Sequence, residues 1–110
     1  MSKLVGLLMN SRTQSHYFHR GTTSYARHQA LQKYYEKIVD LIDTYAEAYG
    51  KKLSPIRMNK QYLTDADKAP AYFKRLLARV KATKVPKDLV SIRDDIVILI
   101  KKTLYLLRLK

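Results

Sequence analysis

The fold turns on residues 14–47, which read Q-S-H-Y-F-H-R-G-T-T-S-Y-A-R-H-Q-A-L-Q-K-Y-Y-E-K-I-V-D-L-I-D-T-Y-A-E. In the second half of this stretch Leu31, Tyr35, Ile38, Ile42, Tyr45 and then Tyr49 recur at intervals of three and four. That period makes one apolar stripe of a helix. Glu36, Asp40, Asp43 and Glu47 repeat in the same way on another face, and His28 and Gln32 extend that face toward the N-terminus. Gly50 is placed to end the helix as a left-handed residue, and Thr22, Thr23 or Ser24 to cap its start. Gly21, in the break Arg20-Gly21-Thr22-Thr23, is expected to take the left-handed conformation that closes the preceding helix.

Outward from this core, the spacing predicts a first helix over residues 2–19. Ser2 is its cap, and Leu4, Leu7, Leu8, Ser11 and Ser15 lie on one side. Residues 51–65 carry Pro55 and no sustained period, and read as a loop. A third helix is expected from Asp67 or Ala69 to Ala82, capped by Thr64 or Asp65, with Pro70 tolerated in the first turn. Tyr72, Phe73, Leu76, Leu77 and Val80 form its inward side. After Val85-Pro86 a fourth helix covers residues 87–109, with Leu89, Ile92, Ile96, Leu99, Ile100, Thr103, Leu106 and Leu107 as its central stripe. Val97, Ile98, Leu104 and Tyr105 widen that stripe beyond what one core face requires, which predicts a second buried surface at a subunit interface. With three Gly and three Pro falling mostly between periodic segments, the chain reads as an all-α four-helix bundle, a single domain over residues 1–110.

Composition narrows the chemistry. A net charge of +13 on 110 residues favours a polyanionic neighbour, whether nucleic acid, anionic membrane surface or acidic protein. With no cysteine, disulfides, thiolate metal sites and cysteine nucleophiles are excluded, so any metal rests on His and carboxylates. The longest uninterrupted apolar run, Ile96–Ile100, is far short of a membrane span, and residues 1–12 lack a secretory cleavage pattern. A soluble protein, cytoplasmic, nucleoid-associated or virion-associated, is the expectation.

All three histidines and four of the nine acids fall in residues 14–47. Asp43 and Glu47 project from one side of the second helix, a turn apart. His28 and Asp43 are about 22 Å apart along a straight helix at 1.5 Å per residue, so one chain cannot bring them to one ion. An antiparallel two-fold dimer can. The pattern H-x11-H-x14-D-x3-E, filled by His16, His28, Asp43 and Glu47, resembles the ferroxidase signature of the Dps family of miniferritins. Tyr17 after the first histidine, Arg20-Gly21, Tyr25 before the second, the D-x-x-A-E of Asp43–Glu47 and the Tyr105-Leu106-Leu107 ending are similar to that family too.

The resemblance implies a ferritin-like bundle, shortened in its C-terminal half. It implies iron held at a two-fold interface by His16 and His28 of one subunit and Asp43 and Glu47 of the other, with oxidation of the iron as the activity. Zinc or manganese would suit the same mixed N/O donors. His19 has no counterpart in the signature and is expected at the surface or an interface. Glu36 and Asp40 are expected to be solvated partners of Lys33 and Lys37.

Thirteen cations, Lys51, Lys52, Arg57, Lys60, Lys74, Arg75, Arg79, Lys81, Lys84, Lys101, Lys102, Arg108 and Lys110, are scattered without a base-reading motif. Scatter of this kind fits sequence-independent phosphate contact, with DNA as partner. A second class of function remains open: a non-enzymatic packing component of the same fold in a nucleoprotein particle or phage virion. Gln32, where the family has an acid, and the short second half favour it.

Overall fold

Ser24 separates the first two helices. Its backbone is extended (φ −86°, ψ 122°) and its hydroxyl accepts the Arg27 amide at 3.2 Å, which makes it the N-cap among the three candidates Thr22, Thr23 and Ser24. In the computed structural model, which describes residues 3–50 and 61–109, α1 spans Lys3–Gly21 and α2 spans Tyr25–Tyr49. Gly50 closes α2 in the left-handed conformation (φ 68°), its amide bonded to the Ala46 carbonyl at 3.2 Å. A 3₁₀ turn, Ala66–Lys68, leads into α3, Ala69–Ala82, and a second one, Lys87–Leu89, into α4, Val90–Arg108. Asp65 rather than Thr64 caps the first of these turns, its carboxylate accepting the Asp67 amide at 3.0 Å. Among the described residues there is no strand. Ser2 and the 51–60 part of the expected loop lie outside them. The protein is an all-α four-helix bundle.

Each helix has two neighbours: α1 packs on α2 and α3, and α4 packs on the same two. The directions follow from what meets at one end. Arg27, in the first turn of α2, donates from Nε to the Leu107 carbonyl at 3.1 Å and lies 3.8 Å from the Asp67 carboxylate. So α2 and α3 both start where α1 and α4 finish. The connection from Gly50 to Asp65 therefore joins opposite ends of the bundle.

The last residues of that crossover lie along α1. Gln14 holds Leu63 at both backbone groups, its amide nitrogen donating to the carbonyl at 2.8 Å and its oxygen accepting the N–H at 2.9 Å. Tyr17 stacks on Tyr62 with ring centroids 5.1 Å apart. Gly21 is not the left-handed cap expected from its position; Gly50 is the one described glycine with positive φ. Gly21 ends α1, and its lack of a side chain lets the Thr64 carbonyl close in: a Cβ there would sit 2.6 Å from that oxygen.

The core is built from Leu4, Leu8 and Phe18 of α1, Leu31, Tyr34, Ile38 and Ile42 of α2, Phe73, Leu76 and Val80 of α3, and Ile96, Ile100 and Leu107 of α4. Tyr34, not Tyr35, occupies the centre of the α2 stripe. Its ring meets Phe73 edge-on at 4.8 Å. Ser11 donates to the Leu8 carbonyl at 2.6 Å, so the Tyr34 hydroxyl supplies the proton of their 2.8 Å contact. Burial raises the Tyr34 phenol well above its ordinary pKa, keeping it a donor. Ser11 and Ser15, expected on the inner side of α1, are fully buried there, and no buried side-chain N or O among the described residues lacks a partner.

Two substitutions test the crossover. In an open helix end Gly21→Ala would stabilise by about 0.5–1 kcal/mol. Here it is expected to destabilise by about 1–3 kcal/mol, because the obstacle is backbone. Gln14→Leu is expected to lose about 1–2 kcal/mol as Leu63 loses both partners. Urea denaturation reads both, and a stabilising Gly21→Ala would mean that the Thr64 approach is wrong.

Candidate metal centre

The last two turns of α1 bring His16 and His19 beside the first turns of α2, which carry His28 and Tyr35. His19 lies four residues beyond Ser15, and eight beyond Ser11, on the side of α1 that faces α2. It is buried to 6% exposure, which corrects the expectation of a surface or interface residue. The signal was present in the sequence as the Ser11, Ser15, His19 spacing.

His19 and His28 stack with ring centroids 3.7 Å apart and exchange hydrogen bonds with each other's backbone. Nδ1 of His19 lies 3.0 Å from the His28 carbonyl, and Nδ1 of His28 lies 3.3 Å from the His19 carbonyl. A carbonyl only accepts, so both rings donate from Nδ1, and in the neutral form of each the lone pair lies on Nε2. Orientation of an imidazole by a backbone carbonyl is the usual second half of a histidine metal ligand. His16 is exposed, its ring 4.9 Å from Tyr35 and 6.1 Å from His19. Burial, above all, lowers the pKa of His19; its bond to the His28 carbonyl opposes this, and the charges of His28, His16 and Arg20 add to the lowering.

The structure thus brings together the three histidines and Tyr35, and does not bring the carboxylates to them. Asp43 and Glu47 are exposed, a turn apart near the far end of α2, and neither forms an ion pair with a described residue. Among the described residues no group of three or more His, Cys, Asp or Glu can hold a metal ion. The donor types, imidazoles at one end of α2 and carboxylates at the other, are those of mixed N/O metal ligation. Gln32, one turn after His28, donates to Glu36 at 2.9 Å. Glu36 and Asp40 make no ion pair with Lys33 or Lys37; for Glu36 the amide–carboxylate bond with Gln32 stands in place of the expected pairing.

Of the scattered cations, Lys74, Arg75, Arg79, Lys81, Lys84, Lys101, Lys102 and Arg108 are all exposed, whereas Lys51, Lys52, Arg57, Lys60 and Lys110 lie outside the described residues. Lys3, Arg79 and Lys84 rim a cleft at the end of the bundle away from the histidines, with Tyr45 and Tyr49 on its wall. No described helix is long and apolar enough to cross a membrane.

Fold and site together define a one-crossover helical bundle with a histidine cluster where its first two helices meet. Residues 19–107 match the model of a family of unknown function (DUF5856), and the chain belongs to that family. The match contains His19, His28, Asp43 and Glu47 and begins three residues after His16. The chain is also 31% identical, over 96% of its own length and 86% of the relative's, to a protein of Enterobacteria phage T4 described as an uncharacterized 14.6 kDa protein in the mobD-ri intergenic region. No solved structure matches it.

The histidine cluster makes stability depend on pH. The folded pKa of His19 lies below its ordinary value of about 6.5, so the unfolded chain takes up the proton first as pH falls. Stability is full above pH ~6.5 and declines below it. Thermal unfolding from pH 8 to 5 should show a falling Tm, and His19→Gln should flatten that decline. An equal slope in both proteins would remove His19 as its source.

Proposed function

We propose that this chain is an oligomeric, Dps-like metal-binding protein, with His16 and His28 of one copy and Asp43 and Glu47 of a second holding a divalent transition-metal ion. Iron is the ion that the resemblance favours, and mixed N/O donors suit it. The observation that carries the reading is the state of the donors. The His28 ring is oriented by a backbone carbonyl through Nδ1, His16 is exposed at the same helix junction, and the two carboxylates, one turn apart, pair with no described residue. Bound iron would supply electrons to oxygen or peroxide; the chain's own task is to place imidazoles and carboxylates across an interface.

The exposed cations of α3 support a second part of the same reading, contact with DNA phosphates through charge alone. Such binding falls steeply with salt, because each neutralised phosphate returns a counterion to solution.

The second reading, a non-enzymatic packing protein, is favoured by Gln32, a neutral side chain whose amide is committed to Glu36. Anaerobic titration with ferrous iron, followed by admission of oxygen, separates the two. We expect uptake that His28→Ala and Asp43→Asn/Glu47→Gln each abolish, and that mixing those two variants partly restores, since a mixed pair keeps one intact half of each kind. Absence of uptake by the unaltered protein leaves the packing role. For DNA, a shift assay from 50 to 200 mM salt should show affinity falling by orders of magnitude. Arg75→Ala/Arg79→Ala should lower both affinity and salt slope, and binding indifferent to salt would end the phosphate reading.

A further inference from the structure

The outer face of α4 is without a neighbour among the described residues. Ile98 is 51% exposed and Tyr105 62%, seven residues apart and hence on one line of the helix. This corrects part of the sequence expectation, since of the four surplus apolar residues Leu104 enters the core and Val97 is half-buried. Beside Ile98 runs a groove between α4 and α2, floored by Leu41 and Leu99.

The charges on this face have a symmetry of their own. The run Asp94-Asp95-Ile96-Val97-Ile98-Leu99-Ile100-Lys101-Lys102 has two acids and two bases equidistant from Ile98. Asp94 and Lys101 are seven residues apart and share one flank of the Ile98 line; Asp95 and Lys102 share the other. Asp95, Lys101 and Lys102 form no ion pair with a described residue, and Asp94 meets only Arg93, at 3.4 Å in solvent. An exposed pair of that kind holds its partner weakly.

We propose that α4 is a homodimer surface, pairing antiparallel with α4 of a second copy about a two-fold axis that passes beside Ile98. A two-fold axis perpendicular to the helices reverses position along them and keeps the flank. Asp94 of one copy then faces Lys101 of the other, Asp95 faces Lys102, and the same contacts recur across the axis. Four opposite-charge pairs frame two touching isoleucines. Tyr105 falls opposite Ser91, which lies seven residues on the other side of Ile98 and whose small side chain leaves room for the ring. Parallel pairing would set acid against acid and base against base.

Charge also selects the occupant. Two copies of a +13 chain repel each other at a distance, so self-association needs a place where acids of one copy meet bases of the next. Two of the chain's nine acids are spent on this face. A polyanion would be repelled by Asp94 and Asp95 at its centre, and a uniformly acidic or basic partner would be opposed by half the charges.

This surface uses none of the four proposed metal ligands: α1 and α4 make no packing contact among the described residues, and α2 borders the surface through Lys37, Asp40 and Leu41. Light scattering of the full chain freed of metal by chelation, in which the histidine-face contact is not bridged, should show a dimer. Asp94→Lys/Asp95→Lys makes the face wholly basic and Lys101→Asp/Lys102→Asp makes it wholly acidic; each alone should weaken dimerisation at least about tenfold. An equimolar mixture of the two should recover the dimer as a heterodimer, and the four-fold swap carrying all these changes should recover it alone. Circular dichroism checks that each variant is folded.

Since the chain has no cysteine, Ile98→Cys gives one thiol, which should oxidise rapidly to a disulfide-linked dimer, whereas a cysteine at Asp88 should not. A monomer at all concentrations overturns the proposal. So does a dimer unaffected by the charge changes and uncrosslinked at position 98, which would place the contact elsewhere, such as the histidine face. Loss of iron uptake with the α4 dimer intact would fail the metal reading alone.

Discussion

The two hydrogen bonds by which Gln14 holds Leu63 settle the topology. They fix the end of the crossover against α1, pointing toward the α1–α2 junction, so α3 has to begin there and run parallel to α2. The short link at Thr83–Pro86 then sends α4 back antiparallel to α3. Had the chain after Gly50 turned directly into α3, the bundle would be up-down-up-down and different faces would be paired. A glutamine suits the task because its amide offers one donor and one acceptor on the same planar group, matching the N–H and C=O of a single residue. Gly21 completes the fit by letting the Thr64 carbonyl pass where any side chain would block it.

That constraint also shapes the histidine cluster. The crossover covers the side of α1 that bears Gln14 and Tyr17, leaving the side of Ser11, Ser15 and His19 to pack against α2. Close approach of the two helices at their linked ends lets each imidazole reach the backbone of the other helix. One of these reciprocal bonds occurs where regular helical hydrogen bonding runs out: the His19 carbonyl is among the last four of α1, whereas the His28 carbonyl, in the first turns of α2, takes the ring of His19 as an additional donor. A helix terminus that is open to outside partners is thereby used to orient the His28 ring.

Much of this was legible in the sequence, and the reasons for the rest are specific. Helix positions followed from period and caps: Ser24, Gly50 and Pro70 each stand where the sequence put them, because caps and proline act through local geometry. The centre of the α2 stripe was misjudged by one residue. Tyr34 and Tyr35 are equally apolar, and which one turns inward is decided by Phe73 and Ser11 from other helices. Gly21 was read as a conformational residue when it is a steric one, a distinction that requires knowing where Thr64 runs. His19 was passed over because motif matching looks along the chain, whereas the pairing of His19 with His28 arises from two helices meeting. The split between the histidines and the carboxylates was legible from helical rise alone.

The two candidate surfaces differ in what they ask of the chain. The proposed histidine face would join unlike groups, imidazoles of one copy and carboxylates of another, so a two-fold axis there would generate two equivalent sites per dimer. The α4 face joins a sequence to its own reverse, which only an antiparallel two-fold can satisfy. A chain with two isologous surfaces on different sides does not stop at a dimer: each copy offers its second face to a further pair, and the assembly closes as a tetramer where the axes intersect at right angles, or extends where they do not. Either way Asp94, Asp95, Lys101 and Lys102 would be consumed within the assembly, leaving the exposed cations of the other helices, among them Lys74, Arg75, Arg79 and Lys81 of α3, at its surface. Assembly would then raise the density of unbalanced positive charge, which is the physical condition for holding a polyanion.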